Sequence, residues 1–140
     1  MTVVLVLSGV GYAECEFVWS EGEYCGSRRT TKLVPDRKFG EFTEGCKIHD
    51  WCYFAAGEQI VSEINSGYLS SISKITRRKR QMKKDCDSAL LRLLEEACSG
   101  DSNKKKCVKW AKGYYLGVTL MGGKAFDGSI KNAIKCRSGQ

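Results

Sequence analysis

The stretch of this chain best suited to chemistry is Cys-Lys-Ile-His-Asp-Trp-Cys-Tyr at residues 46–53, which holds the only histidine among 140 residues. On a helix, Cys46, His49 and Tyr53 would share one face because they are spaced i, i+3 and i+7. Asp50 would lie about 100° further round the helix and point into a different subsite. Since imidazole exchanges protons near neutral pH, this spacing predicts a general base beside an anionic ligand.

A histidine base needs a carboxylate that fixes its tautomer, and the best candidate is Asp87 in the pair Cys86-Asp87. If Cys52 were bridged to Cys86 between antiparallel helices, His49 would face Asp87. Asp85 is the competitor, but it lies off the helix face that carries Leu90 and Leu94. We therefore predict that Asp87 orients His49.

Two other interpretations of His49 are open. Cys46, His49 and Cys52 could form half of a zinc site, since thiolates and imidazole suit that metal. The chain has no second histidine, however, and its cysteine count is even. His49 could also be a hydrogen-bonded core residue without a chemical role. The aspartate that follows it and the Cys-Asp pair at 86–87 favour the base.

Three helices must position these residues. Apolar spacing predicts them over residues 41–66, 75–98 and 104–120, and the second has an apolar stripe from Asp87 to Cys98. Gly122-Gly123 should end the third helix, and the tail has a short helical segment around 130–134. Residues 14–38 predict a loop region, and no strand pair is evident. The sequence therefore predicts an all-α fold.

Composition and cysteine usage indicate a single secreted domain. Eight cysteines in 140 residues are typical of disulfide bonding in an oxidising compartment. The apolar run at 2–13 predicts a signal peptide over 1–13, with a domain over 14–140; a buried N-terminal strand is the alternative. The run is shorter than the roughly 20 residues that span a bilayer as a helix.

Residues 46–53 resemble the signature of the secreted phospholipase A2 family, in which a cysteine and two residues precede His-Asp-x-Cys-Tyr. The resemblance covers about 23–121 and mixes bacterial or fungal features with animal-like ones. It implies that His49 activates a water, that Asp87 orients His49, and that Tyr53 hydrogen-bonds Asp87. Tyr68 would take the part of the family's second tyrosine.

The resemblance also implies a calcium loop ahead of the first helix. In the family this loop reads aromatic-Cys-Gly-x-Gly, which Tyr24, Cys25 and Gly26 match, while Arg28 stands in place of the second glycine. Ca²⁺ would be held by the carboxylate of Asp50 and the backbone carbonyls of Tyr24, Gly26 and Arg28. The Gly26 amide would donate to the oxyanion.

Four disulfide bonds follow from the same resemblance. The implied pairs are Cys25–Cys46, Cys52–Cys86 and Cys98–Cys107, which leaves Cys15 to pair with Cys136. The chain would therefore be an all-α protein of disulfide-linked antiparallel long helices, with an N-terminal calcium loop and a third helix.

The implied activity is calcium-dependent hydrolysis of the sn-2 acyl ester of glycerophospholipids. The alternative is a catalytically weak or inactive toxin-like protein that binds polyanions or membranes on the same scaffold. The net charge of +7 and the cations at 77–80, 83 and 84 indicate an anionic phospholipid surface as partner. A nucleic-acid partner is not expected, because a disulfide framework does not suit the nucleus.

Overall fold

A computed structural model describes Cys15 and residues 42–138, which form four α-helices and no strand. The helices are α1 (Thr43–Asn65), α2 (Ile72–Ala97), α3 (Lys104–Met121) and α4 (Gly123–Arg137), and a short 3₁₀ turn at Cys98–Gly100 follows α2. The predicted all-α class is confirmed for this part of the chain, and the first three helices begin and end within three residues of their predicted bounds. The predicted signal peptide at 1–13 and the loop at 14–38 lie outside the described residues, apart from Cys15.

Polar caps and one glycine set where the helices begin and end. The Ser71 hydroxyl accepts a hydrogen bond from the Lys74 amide at 3.3 Å and caps α2. The Asn103 side chain caps α3 in the same way through the Lys106 amide at 3.2 Å. After α1, Gly67 has a φ of +81°, a conformation that other residues adopt at a cost, and this allows the chain to turn toward α2.

The buried apolar side chains of the described residues form two clusters. One joins the start of α1 to the end of α2 and to α3; it contains Phe42, Cys46, Leu90, Leu94, Cys98, Cys107, Ala111 and Tyr114. The other joins the middle of α1 to α2 and α4 and contains Tyr53, Ala56, Ile60, Leu69, Cys86 and Phe126. On both α1 and α2 the boundary between the clusters falls at His49 and Asp87. The predicted polar site is therefore built into the core.

Three disulfide bonds hold the described helices. Cys52–Cys86 joins α1 to α2 and Cys98–Cys107 joins α2 to α3, with Cα–Cα distances of 5.8 and 5.6 Å. The Cys15–Cys136 bridge joins two residues 121 positions apart in sequence, the second of which lies near the end of α4. These three pairings are confirmed, while the predicted Cys25–Cys46 bridge involves a residue outside the described part.

The helical segment predicted around 130–134 is confirmed, but it is part of the longer, 15-residue helix α4. Its glycines lower helix propensity and only Phe126 and Ala133 are buried, so the sequence pattern is weak. Packing against α1 stabilises the helical conformation of α4. An ion pair between Arg137 and Glu58, with an Nε–Oε2 distance of 3.1 Å, adds to this contact.

Gly57 explains how α4 approaches α1 so closely. A Cβ built at Gly57 would lie 2.7 Å from the backbone oxygen of Ser129 and 2.8 Å from its carbonyl carbon. Backbone atoms cannot move aside as a flexible side chain does. Gly57 therefore serves the contact with α4, although glycine in a helix interior is unfavourable by itself.

Replacing Gly57 by alanine should lower the free energy of unfolding by about 1–3 kcal/mol, since the steric cost exceeds the gain in helix propensity. The matched control is Gly113→Ala in α3, where an added Cβ meets nothing within 4 Å. That variant should be unchanged or more stable. Urea denaturation compares the two, and equal stability would show that α4 does not pack against α1 at this point.

Candidate active site

His49 and Asp87 meet between α1 and α2. The distance from His49 Nε2 to Asp87 Oδ1 is 2.8 Å, and the residues are 7% and 2% exposed. The Cys52–Cys86 bridge joins the same two helices beside this contact and fixes their register. The predicted pairing is confirmed. The competitor Asp85 is exposed and accepts a hydrogen bond from Gln81 instead.

The carboxylate of Asp87 is held by three hydrogen bonds. Tyr53 donates its hydroxyl proton to Oδ1 at 2.6 Å, and Lys83 donates from Nζ to Oδ2 at 2.7 Å. Burial alone would raise the pKa of Asp87, but the hydrogen bonds from His49, Lys83 and Tyr53 outweigh it and the pKa lies below its ordinary value. Asp87 is therefore ionised at neutral pH.

The state of Asp87 determines the roles of its neighbours. Burial, the hydrogen bond to Asp87 and its negative charge raise the pKa of Tyr53 far above the ordinary value, so the phenol remains a donor. Because Asp87 can only accept, Nε2 of His49 carries the proton of their shared hydrogen bond. In neutral imidazole the other nitrogen, Nδ1, then has the lone pair. Nδ1 makes no hydrogen bond to any described residue, so it can accept a proton from a bound molecule.

Lys83 belongs to this network, which the sequence analysis missed. Its Nζ also donates to the carbonyls of Val118 at 3.0 Å and Thr119 at 3.4 Å, near the end of α3. The sequence placed Lys83 in a surface cluster of cations. The signal that identifies it is its i, i+4 spacing from Asp87 on α2. Tyr68, which was expected to act as the second tyrosine of the site, is 73% exposed and makes no hydrogen bond to Asp87. That prediction was wrong.

Gly122 is a second residue whose role was missed. The sequence predicted only that it ends α3, which it does. A Cβ at this position would also come within 2.8 Å of the Tyr53 hydroxyl. Glycine here therefore allows the turn between α3 and α4 to lie directly against the donor of Asp87.

Asp50 is the one predicted calcium ligand within the described residues. It follows His49 on α1, is half-buried, and lines a cavity of about 510 Å³ between α1 and α4 that Tyr53 also lines. Tyr24, Gly26 and Arg28 lie outside the described residues. Their predicted roles as calcium ligands, and that of the Gly26 amide as oxyanion donor, stay predictions. Within residues 42–138 no three His, Cys, Asp or Glu side chains cluster as a metal site. The described residues thus supply one oxygen ligand of the kind that calcium prefers.

Half of the expected basic cluster is paired internally. Arg78 makes two hydrogen bonds to the Glu63 carboxylate, at 3.0 and 2.9 Å, and Lys79 lies 2.8 Å from Asp127. Lys83 pairs with Asp87. The other three cations, Arg77, Arg80 and Lys84, are exposed.

Comparison with protein-family models, with curated proteins and with solved structures finds no match to this chain. None of the four described helices combines the length and the apolar character that crossing a bilayer requires.

Replacing Asp87 by asparagine should remove one source of acid-sensitive stability. The pKa of Asp87 is lower in the folded chain than in the unfolded chain, so the carboxylate stabilises the fold above its ordinary pKa of about 4. That contribution is lost as the pH falls through the lower pKa of the folded state. Below about pH 4, unfolding free energy should therefore fall less steeply in Asp87→Asn than in the unsubstituted protein.

Asp85→Asn is the matched control, because it makes the same change at an exposed position on α2. Urea denaturation at successive acidic pH values gives the slope for each protein. Equal slopes for Asp87→Asn and the unsubstituted protein would contradict the depressed pKa.

Proposed function

We propose that this protein is a secreted, calcium-dependent phospholipase A2 that hydrolyses the sn-2 acyl ester of glycerophospholipids. The observation that carries the proposal is the 2.8 Å contact between His49 Nε2 and the buried Asp87 carboxylate, with Tyr53 as a second donor. This arrangement leaves Nδ1 of the only histidine in the chain as a base.

In the proposed reaction, Nδ1 of His49 removes a proton from a water molecule as the water oxygen attacks the ester carbonyl carbon. The imidazolium that forms is stabilised by the Asp87 carboxylate. Collapse of the tetrahedral intermediate breaks the bond to the glycerol oxygen, and that oxygen takes the proton from Nδ1. The products are a fatty acid and a lysophospholipid, and His49 returns to its neutral form.

Tyr53 and Lys83 act on the reaction through Asp87. Their hydrogen bonds keep the carboxylate ionised and oriented inside a core that would otherwise favour its protonation. Lys83 also bonds the carbonyls of Val118 and Thr119, so α3 helps to position the carboxylate. Both side chains are positioning residues.

Calcium would be held by Asp50 together with the carbonyls of Tyr24, Gly26 and Arg28, and it would supply positive charge to the ester oxygen and the phosphate. Asp50 follows His49 directly on α1, so base and ligand are offset around one rigid helix. The Gly26 amide would add a hydrogen bond to the oxyanion.

The order of contacts between α1 and α2 supports the antiparallel helix pair that the resemblance implies. Positions that rise along α1 meet positions that fall along α2: Gly45 with Leu94, His49 with Asp87, Cys52 with Cys86 and Glu63 with Arg78. Secretion is supported by the three disulfide bonds of the described residues.

An anionic phospholipid surface is the proposed partner. Arg77, Arg80 and Lys84 are exposed at spacings of three and four residues and so share one face of α2. Near an anionic bilayer each such residue adds about 1 kcal/mol of attraction.

The purified protein should release fatty acid from anionic phospholipid vesicles in millimolar calcium, and EDTA should abolish the release. His49→Gln should reduce the rate by about 10²–10⁴-fold, the usual contribution of general acid–base catalysis. Gln59→Met controls for a change at an exposed position on the same helix as His49, and melting temperatures establish that each variant is folded.

Activity retained by a folded His49→Gln variant would contradict the role of His49. Vesicle binding by the unsubstituted protein with no release of fatty acid would instead identify a non-catalytic membrane-binding protein on this scaffold. A calcium-dependent rise in melting temperature that Asp50→Asn removes would test the metal site independently of activity.

A further inference from the structure

The outward face of α3 carries a continuous stripe of cations followed by leucines. Its members are spaced by four, three, four and four residues, so they follow one side of the helix. All are exposed: Lys105, Lys109, Lys112, Leu116 and Leu120. We call this set the α3 stripe.

The charge of α3 has a single sign. The helix contains five lysines and no acidic residue. Lys105, Lys109 and Lys112 make no ion pair with any described residue. Three lysines also occupy the first turn, at 104–106, where the positive end of the helix dipole disfavours cations. The helix thus keeps a positive potential at some cost to its own stability, and that potential favours an anionic partner.

The C-terminal end of the stripe is apolar, and its side chains are largely exposed to solvent. Leu116 is 55% exposed and Leu120 is 81% exposed, and the neighbouring Met121 is 62% exposed. Single exposed apolar residues are ordinary on protein surfaces, but these three lie within six positions of one helix. Lysine side chains can lie along an apolar surface with their ammonium groups in water, so the two halves of the stripe suit one interface.

The leucine end of the stripe lies beside the candidate active site. Lys83, which holds Asp87, bonds the carbonyls of Val118 and Thr119, between Leu116 and Leu120 along α3. Lys112 and Leu120 are separated by eight residues, or about 12 Å of helix. A surface that receives the leucines would therefore lie within one or two helix turns of the backbone that supports Asp87.

We propose that the α3 stripe is the surface by which this protein docks on an anionic phospholipid bilayer. The lysines contact phosphate headgroups, and Leu116, Leu120 and Met121 enter the headgroup–acyl boundary. The choice of a lipid partner rests on the proposed function. The stripe adds which face meets the bilayer, and docking through it requires no catalysis.

Binding is measured by co-sedimentation with vesicles of phosphatidylglycerol and phosphatidylcholine in EDTA, so that hydrolysis plays no part. Lys105→Glu/Lys109→Glu/Lys112→Glu should weaken binding by at least about a hundredfold, since each lysine is worth roughly fivefold near an anionic surface. The matched control is Lys124→Glu/Lys131→Glu/Lys135→Glu on α4, where all three lysines are exposed and the change in net charge is the same.

The apolar half is tested with Leu116→Ser/Leu120→Ser, which should weaken binding about tenfold through lost apolar burial. Its control is Ile72→Ser/Ile134→Ser, at residues 84% and 52% exposed elsewhere on the surface. On vesicle binding, brominated lipid should quench more tryptophan fluorescence in Leu120→Trp than in the unsubstituted protein, whose three tryptophans give the baseline. All of these positions are exposed, so folding is expected to survive, and melting temperatures establish it.

Equal losses in the α3 and α4 triple variants would overturn the proposal, because binding would then follow net charge alone. Quenching in Leu120→Trp no greater than in the unsubstituted protein would overturn it as well. Concentration-dependent dimers that Leu116→Ser/Leu120→Ser abolishes, with vesicle binding unchanged, would assign the stripe to a second copy of the chain. If the stripe variants lose binding but the unsubstituted protein hydrolyses no lipid, docking stands and the proposed enzymatic function fails.

Discussion

The buried carboxylate of Asp87 is the group on which the rest of the structure depends. An ionised carboxylate in a protein core is strongly unfavourable unless donors replace the water it loses. Here His49, Tyr53 and Lys83 supply three donors from two helices, and Lys83 extends the network to the backbone of α3. Removing any one of these donors would leave the buried charge of Asp87 less well paired, so the three hydrogen bonds depend on one another.

Several features of the fold serve this one group. The Cys52–Cys86 bridge fixes the register of the helices that carry His49 and Asp87. Gly122 lets the α3–α4 turn lie against the Tyr53 hydroxyl, and Gly57 lets α4 pack on α1, where Phe126 contacts the Tyr53 ring edge-on at a centroid distance of 5.1 Å. The same packing that stabilises the core therefore orients the donors of the carboxylate.

The sequence could predict the parts of the site that follow from helix spacing and cysteine positions. His49, Tyr53 and Asp87 were predictable because periodicity placed them on facing helix surfaces. Lys83 and the full length of α4 were not. Lys83 stands among five other cations; its i, i+4 spacing from Asp87 indicates that the two could pair, but the tertiary structure is needed to show that Lys83 points inward. The glycines of α4 give a weak helical pattern, and the role of Gly57 could not be predicted because its contact with Ser129 lies 72 residues away in sequence.

The measurement that tests this account most directly is nitrogen NMR of the imidazole, which needs no assignment because the chain has one histidine. At mildly alkaline pH the spectrum should show a proton on Nε2, protected from exchange by Asp87, and an unprotonated Nδ1. Asp87→Asn should alter this tautomer balance, while Asp85→Asn should not. A neutral imidazole protonated on Nδ1 in the unsubstituted protein would contradict the account, since the proposed base would then have no lone pair to use.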